Sequence, residues 1–154
     1  MDISNKRYIQ RLDSYSRAFD RLKELVDMIS GQDRYSLFSE ENIPIEEEIV
    51  REALIKRFEF TQELSWNLLK DYMTYQGEVD LAGSRDVYRR ALKLGLISDS
   101  TWMNMILDRN LSAHDYNDVK SKEIARRIIN EYYPLMRQLH DEMLERKERL
   151  DGDD

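Results

Sequence analysis

The chain has no cysteine, and among its 154 residues there are only two prolines, five glycines and two histidines. Without thiols neither a disulfide nor a thiolate metal site can form, and the wide separation of His114 and His140 argues against a zinc cluster. No metal and no cofactor is expected. No apolar run approaches the roughly 20 residues that a membrane-spanning helix needs, and the N-terminus carries no apolar signal-peptide core. A cytoplasmic protein without membrane contact is therefore expected. A surplus of positive charge is missing too: 24 Lys and Arg stand against 31 Asp and Glu, for a formal net charge of −7. That balance speaks against broad, charge-driven binding to nucleic acid and confines any RNA contact to a local patch. Arg85, Arg89, Arg90, Lys93 and Arg109 are the candidates for it, although a solvated helix face accounts equally well for the first four.

Internal repeats, low-complexity tracts, a glycine-rich phosphate loop, a nucleophile elbow and period-two alternation are likewise absent. What remains is helical periodicity in a chain that is 41% hydrophobic and 36% charged, the mixture of amphipathic helices. Residues 1–150 suit one domain with a proper core, followed by a frayed acidic tail at 151–154. Tyr8, Leu12, Tyr15, Phe19, Leu22, Val26 and Ile29 recur at alternating spacings of four and three, which draws one stripe down a first helix closed near Gly31. Tyr35, Leu37 and Phe38 in the following polar stretch are expected to tuck against the bundle.

Pro44 and the carboxylates Glu46, Glu47 and Glu48 mark the start of a second long helix. Its apolar edge is expected along Ile49, Ala53, Phe60, Leu64 and Leu68, widened by Leu54, Phe58, Leu69 and Tyr72, until Gly77. Trp66 and Phe60 could face a partner, though a tryptophan at helical spacing usually belongs to a core. Gly83-Ser84 and Gly95 bracket a short helix around Val87, and Ser98 or Asp99 caps the next, which turns Trp102, Met105 and Ile106 inward. A last helix from Asp118 carries Ile124, Ile128, Tyr132, Leu135, Leu139 and Met143; Pro134 should kink or divide it near Tyr133. His140 is expected on its surface, and the charged stretch from Glu145 should fray. The fold class is all-α: an antiparallel up-and-down bundle of four main helices plus the short one.

One segment carries chemistry. In Asp108-Arg109-Asn110-Leu111-Ser112-Ala113-His114-Asp115-Tyr116 a guanidinium, an imidazole and a phenol fall close together. Five residues apart on a continuous helix, Arg109 and His114 would point about 140° away from each other. A helix break at Ser112 and the turn formers after it would let Arg109, His114 and Tyr116 surround one small volume. Arg grips phosphate oxygens bidentately and His exchanges protons near neutrality, so a phosphate-containing ligand fits. Glu63, beside a packed face, needs a cationic or hydrogen-bonding partner if buried, and Arg109 is a candidate. Capping, packing and dipole complementarity at a helix end explain the same residues without a ligand.

The run from Arg57 to Tyr72, then Ala91 to Ile97, Trp102, and Arg109-Asn110 with His114-x-Tyr116 closely resembles the nucleotidyltransferase substrate-binding protein family. That family belongs to the HEPN superfamily, which includes the HepT-type toxins, and the likeness runs from about Tyr8 to Leu144. It implies a homodimer working beside a separately encoded minimal nucleotidyltransferase. In HepT-type systems the helical protein cleaves RNA, and the transferase neutralises it by adenylating the motif tyrosine. Carried onto this chain, the resemblance gives Arg109 phosphate binding, His114 proton transfer, Asn110 orienting contacts and Tyr116 the acceptor role; Glu63 joins the substrate-binding candidates through its expected pairing with Arg109.

Metal-independent cleavage is coherent chemistry, since a ribose 2′-hydroxyl can attack its own phosphate when a base takes its proton and a cation steadies the pentavalent charge. One His114 per chain is sparse for both acid and base, and a dimer sharing one cleft would supply two. Two other readings stay open: a subunit that presents a nucleotide to the transferase and cuts nothing, and a helical scaffold.

Overall fold

A computed structural model describes residues 3–32, 43–114 and 118–152, with backbone alone for 3–4, 111–114 and 118–119. The apolar stripe of the N-terminal segment winds into α1 (Ile3–Gly31), and its seven stripe residues are all buried. The expectation for Tyr35, Leu37 and Phe38 lies outside the described residues.

Helix α2 (Ile45–Tyr75) follows Pro44, whose φ of −57° leads into a first turn holding Glu46, Glu47 and Glu48. Leu54, Phe58, Leu68, Leu69 and Tyr72 are buried as expected, but the edge does not run through Ile49 and Phe60. Ile49 and Phe60 are 58% and 61% exposed, while Leu54, Phe58, Thr61, Ser65, Leu68 and Tyr72 face inward. Those six repeat the four–three spacing of α1, but two are polar, so a stripe drawn through apolar residues alone slides toward Phe60 and Leu64. The hydroxyls are tolerated because each finds a nearby carbonyl: Thr61 Oγ1 donates to Arg57 O at 2.7 Å and Ser65 Oγ to Gln62 O at 2.6 Å. Trp66 is half-buried against the core, not a free surface anchor.

Helix α3 (Ser84–Lys93) begins after Gly83 and ends in a Schellman turn: Leu96 N–H donates to Ala91 O at 2.9 Å across Gly95, whose φ of +77° favours glycine. Helix α4 (Thr101–His114) is capped by Asp99, whose Oδ1 accepts the Thr101 N–H at 2.8 Å, a bond that also lowers the carboxyl pKa. Trp102, Met105 and Ile106 are buried as expected. Helix α5 (Asp118–Arg127) passes through one π turn, Ile128–Tyr132, into α6 (Tyr133–Gly152). Pro134 offers no N–H and its ring would strike the Asn130 carbonyl. The wider turn, with Tyr133 N–H bonded to Ile128 O, accommodates it and divides the helix at the expected place.

Two expectations about α6 do not hold. The charged stretch after Glu145 is helical through Gly152, held by Arg146 Nε on Glu142 at 2.6 Å and by Leu150 against the core. His140 is half-buried in the α1–α6 seam, its ring 4.8 Å from Phe19 and its Nε2 2.9 Å from Ser16 Oγ, and burial lowers its pKa.

Side-chain pairs give the directions. Arg11–Asp71 and Arg57–Arg21 O set α1 antiparallel to α2, and Tyr15 donating to Met136 O with Phe19 stacked on Tyr133 sets α1 antiparallel to α6. Tyr88 touches Gln62 and Trp102, whereas Asp108 meets Tyr132, which stacks on Phe58; α4 thus runs against α2. With α5, the π turn and α6 as one bent rod, the chain is an up-and-down bundle of four main helices plus α3. Among the described residues there is no strand, and no helix is long and apolar enough to cross a membrane.

Candidate functional site at the end of helix α4

The inward stripe of α4 does not stop with Met105 and Ile106. Asp108, three positions past Met105, continues it and is only 5% exposed. A buried carboxylate must be matched, and three donors converge on it. Arg127 at the end of α5 grips it bidentately, Nε to Oδ2 at 2.6 Å and Nη2 to Oδ1 at 2.9 Å, while the Tyr132 hydroxyl of the π turn donates to Oδ2. The hydrogen bond donated to Asp108 raises the Arg127 pKa, and burial, reinforced by the same carboxylate, raises that of Tyr132. Tyr132 lies flat on Phe58 of α2, with ring centroids 5.2 Å apart. One carboxylate therefore ties the end of α4 to three other elements.

The next residue turns about 100° around the helix and leaves the core. Arg109 reaches Glu63 of α2, Nη2 to Oε2 at 3.1 Å, with the two side chains 40% and 39% exposed. The expected partnership thus exists, but half in solvent. Beside Glu63 in the chain, Gln62 and Ser65 form a dry polar layer with Tyr88 of α3: Gln62 Nε2 donates to the phenol oxygen at 3.0 Å, and Ser65 Oγ lies 2.7 Å from it. Burial holds the Tyr88 hydroxyl in its neutral form, while the Arg109 charge pulls the other way. Arg109 therefore lies close enough to this buried, hydrogen-bonded layer for its charge to act on Tyr88. Asn110 follows it on the exposed side.

The backbone does not break where expected. Helix α4 is continuous through His114, so positions 109 and 114 sit about 140° apart around one axis. Tyr116 lies outside the described residues, as does the side chain of His114. Of the anticipated group, Glu63 and Arg109 are brought together, and Asn110 follows Arg109 on the exposed side. The proposed cationic patch is also thinner than its sequence: Arg90 is paired with Glu78 at 2.7 Å, leaving Arg85, Arg89 and Lys93 on the solvent side of α3. Among the described residues no cluster of three His, Asp or Glu could hold a metal.

The sequence pattern assigns no role to Asp108 or Arg127, and it places Tyr132 only on the apolar stripe of the last helix. One signal was available: an acid at an inward position of α4 demands partners, and Tyr132 and Arg127 sit on the neighbouring stripe.

The family model described as nucleotidyltransferase substrate binding protein like matches residues 10–145. Among solved structures, the Haemophilus influenzae protein HI0074, reported as revealing the fold of a substrate binding domain of a nucleotidyltransferase, is 25% identical with a TM-score of 0.71. The match covers 85% of this chain and 97% of that one. A Thermus thermophilus protein is 30% identical with a TM-score of 0.61, over 86% of this chain and 97% of its own. No curated protein matches. With nearly its whole length inside the family model, the chain belongs to the nucleotidyltransferase substrate-binding-protein-like family.

Proposed function

We propose that this chain is the substrate-binding partner of a separately encoded minimal nucleotidyltransferase, and that it receives a nucleotide or RNA phosphate at Arg109. The observation that carries this reading is the half-exposed Arg109–Glu63 pair on a fixed helix end. A guanidinium held by a carboxylate in partial contact with water can exchange that partner for a phosphate at little cost, and its planar fork suits two phosphate oxygens. Asn110 supplies an orienting donor from the same turn. The description of HI0074 as a substrate binding domain agrees with this role. The site is local, as the acidic balance of the chain requires.

The experiment is a titration of the chain with its transferase and a nucleotide or short RNA. Arg109→Ala should weaken ligand binding at least tenfold, about 1.4 kcal/mol, with the melting temperature little changed. Equal binding by wild type and variant would remove Arg109 from the site.

A second reading extends the first to a HEPN-superfamily, HepT-like toxin–antitoxin component in the cytoplasm. The continuity of α4 restricts its form: Arg109 and His114 of one chain sit on different sides of the helix, so a homodimer would have to complete the group across its cleft. There His114 would take the ribose 2′-hydroxyl proton, Arg109 would hold the phosphate, and adenylate added at Tyr116 would occupy the same space and silence cleavage. RNA cut in EDTA by wild type and left intact by His114→Ala, with adenylate mass appearing on Tyr116 in the presence of the transferase and ATP, separates this reading from presentation alone.

A further inference from the structure

Nine residues along α2 from Glu63, roughly 14 Å by helical rise, a second constellation occupies the end of the bundle. Here the start of α1, the end of α2 and the end of α6 meet. Tyr8 stands edge-on to Tyr72 at 5.2 Å, and Tyr75 leans against Tyr8 at 5.1 Å. Arg146 lies over the Tyr72 ring, its guanidinium carbon 5.5 Å from the centroid, and donates from Nη1 to the Tyr72 hydroxyl at 2.8 Å. Gln76 Nε2 donates to the same hydroxyl at 3.3 Å. These groups, with Arg149, line a hollow of about 220 Å³. It adjoins a second of about 300 Å³ that shares Tyr72, Gln76 and Arg146 and reaches Leu94.

Packing alone does not account for this set. A sealed aromatic corner needs no second arginine, yet Arg149 lines the hollow with 62% of its side chain exposed, and its carboxylate neighbours Glu142 and Glu145 stand off at 4.0 and 3.8 Å. Glu142 is closer to Arg146, at 2.6 Å, which leaves Arg149 the more exchangeable cation. Tyr75 is only partly buried and offers ring surface. Glu78 also lines the second hollow, and its carboxylate is held by Arg90 at 2.7 Å. An aromatic face stacks on a flat heterocycle, and arginines take phosphate.

We propose that this end of the bundle is a nucleoside monophosphate site, with the base stacked against Tyr75 and the phosphate received by Arg149 and Arg146. The assignment is independent of Arg109, which belongs to a different part of the molecule.

Calorimetric titration of the full chain with AMP, adenosine and ribose 5-phosphate tests it. AMP should bind saturably, and the two fragments at least tenfold more weakly, because each satisfies only one half of the site. Tyr75→Leu and Arg149→Gln should each weaken AMP at least fivefold. If Tyr75→Leu lowers the melting temperature, the solvent-exposed Arg149→Gln decides alone. Absence of saturable AMP binding, ribose 5-phosphate binding as well as AMP, or a response to Arg109→Ala without one to Arg149→Gln would each overturn the assignment.

Discussion

Asp108 and Arg109 are neighbours in the chain and opposites in environment. Asp108 is 5% exposed and receives three hydrogen bonds from Arg127 and Tyr132, whereas Arg109 shares a half-solvated contact with Glu63. One helix turn thus carries a locked polar group and an exchangeable one. In the low-dielectric interior a charge is tolerated only when fully matched, and once matched it is costly to disturb. At the surface, water competes for both partners and the same ion pair becomes a weak, replaceable bond. The buried member positions; the exposed member can trade its partner for a ligand. A rigid anchor immediately before a labile cation is a suitable arrangement for a binding site.

The largest expected effect comes from breaking the anchor. Asp108→Ala leaves the Tyr132 hydroxyl buried without its acceptor and strips Arg127 of its bidentate partner, so unfolding in urea should show a loss of about 3 kcal/mol. A loss below about 1 kcal/mol, the size of an ordinary single hydrogen bond, would erase the contrast between the two neighbours. Tyr132→Phe sharpens it: the ring keeps its stack on Phe58, the carboxylate keeps Arg127, and only one donor goes. That variant should cost about 1 kcal/mol by the same measurement.

Where the sequence was legible, a single periodicity decided the outcome. The α1 stripe and the division at Pro134 follow from local rules about spacing and a missing N–H. On α2 the expected Leu54, Phe58, Leu68, Leu69 and Tyr72 are buried, but the apolar pattern misses Thr61 and Ser65, which satisfy their hydroxyls on the helix's own carbonyls and so occupy core positions that look polar. Glu63 and Arg109 could be paired on paper, since a carboxylate beside a packed face asks for a cation. The Asp108 clamp could not be paired so readily, because its partners come from 19 and 24 residues further on and meet it only when α5 folds back. The break expected at Ser112 rested on turn preferences of about a few tenths of a kcal/mol, and a helix anchored at Asp108 continues through His114 against them.

The smallest effect on stability belongs to Glu63→Gln. Both members of the pair are about 40% exposed, so removing the charge should change unfolding free energy by less than about 1 kcal/mol and make it less sensitive to salt. Ligand binding should respond in the opposite direction. The carboxylate competes with phosphate for the same guanidinium, so its neutral isostere should raise affinity for a phosphate-bearing ligand several-fold, and the gain should vanish when Arg109→Ala is added. A Glu63→Gln variant as destabilised as Asp108→Ala would mean that the exposed pair is structural after all. Weaker ligand binding in that variant would mean that Glu63 helps to hold the ligand rather than standing in its place.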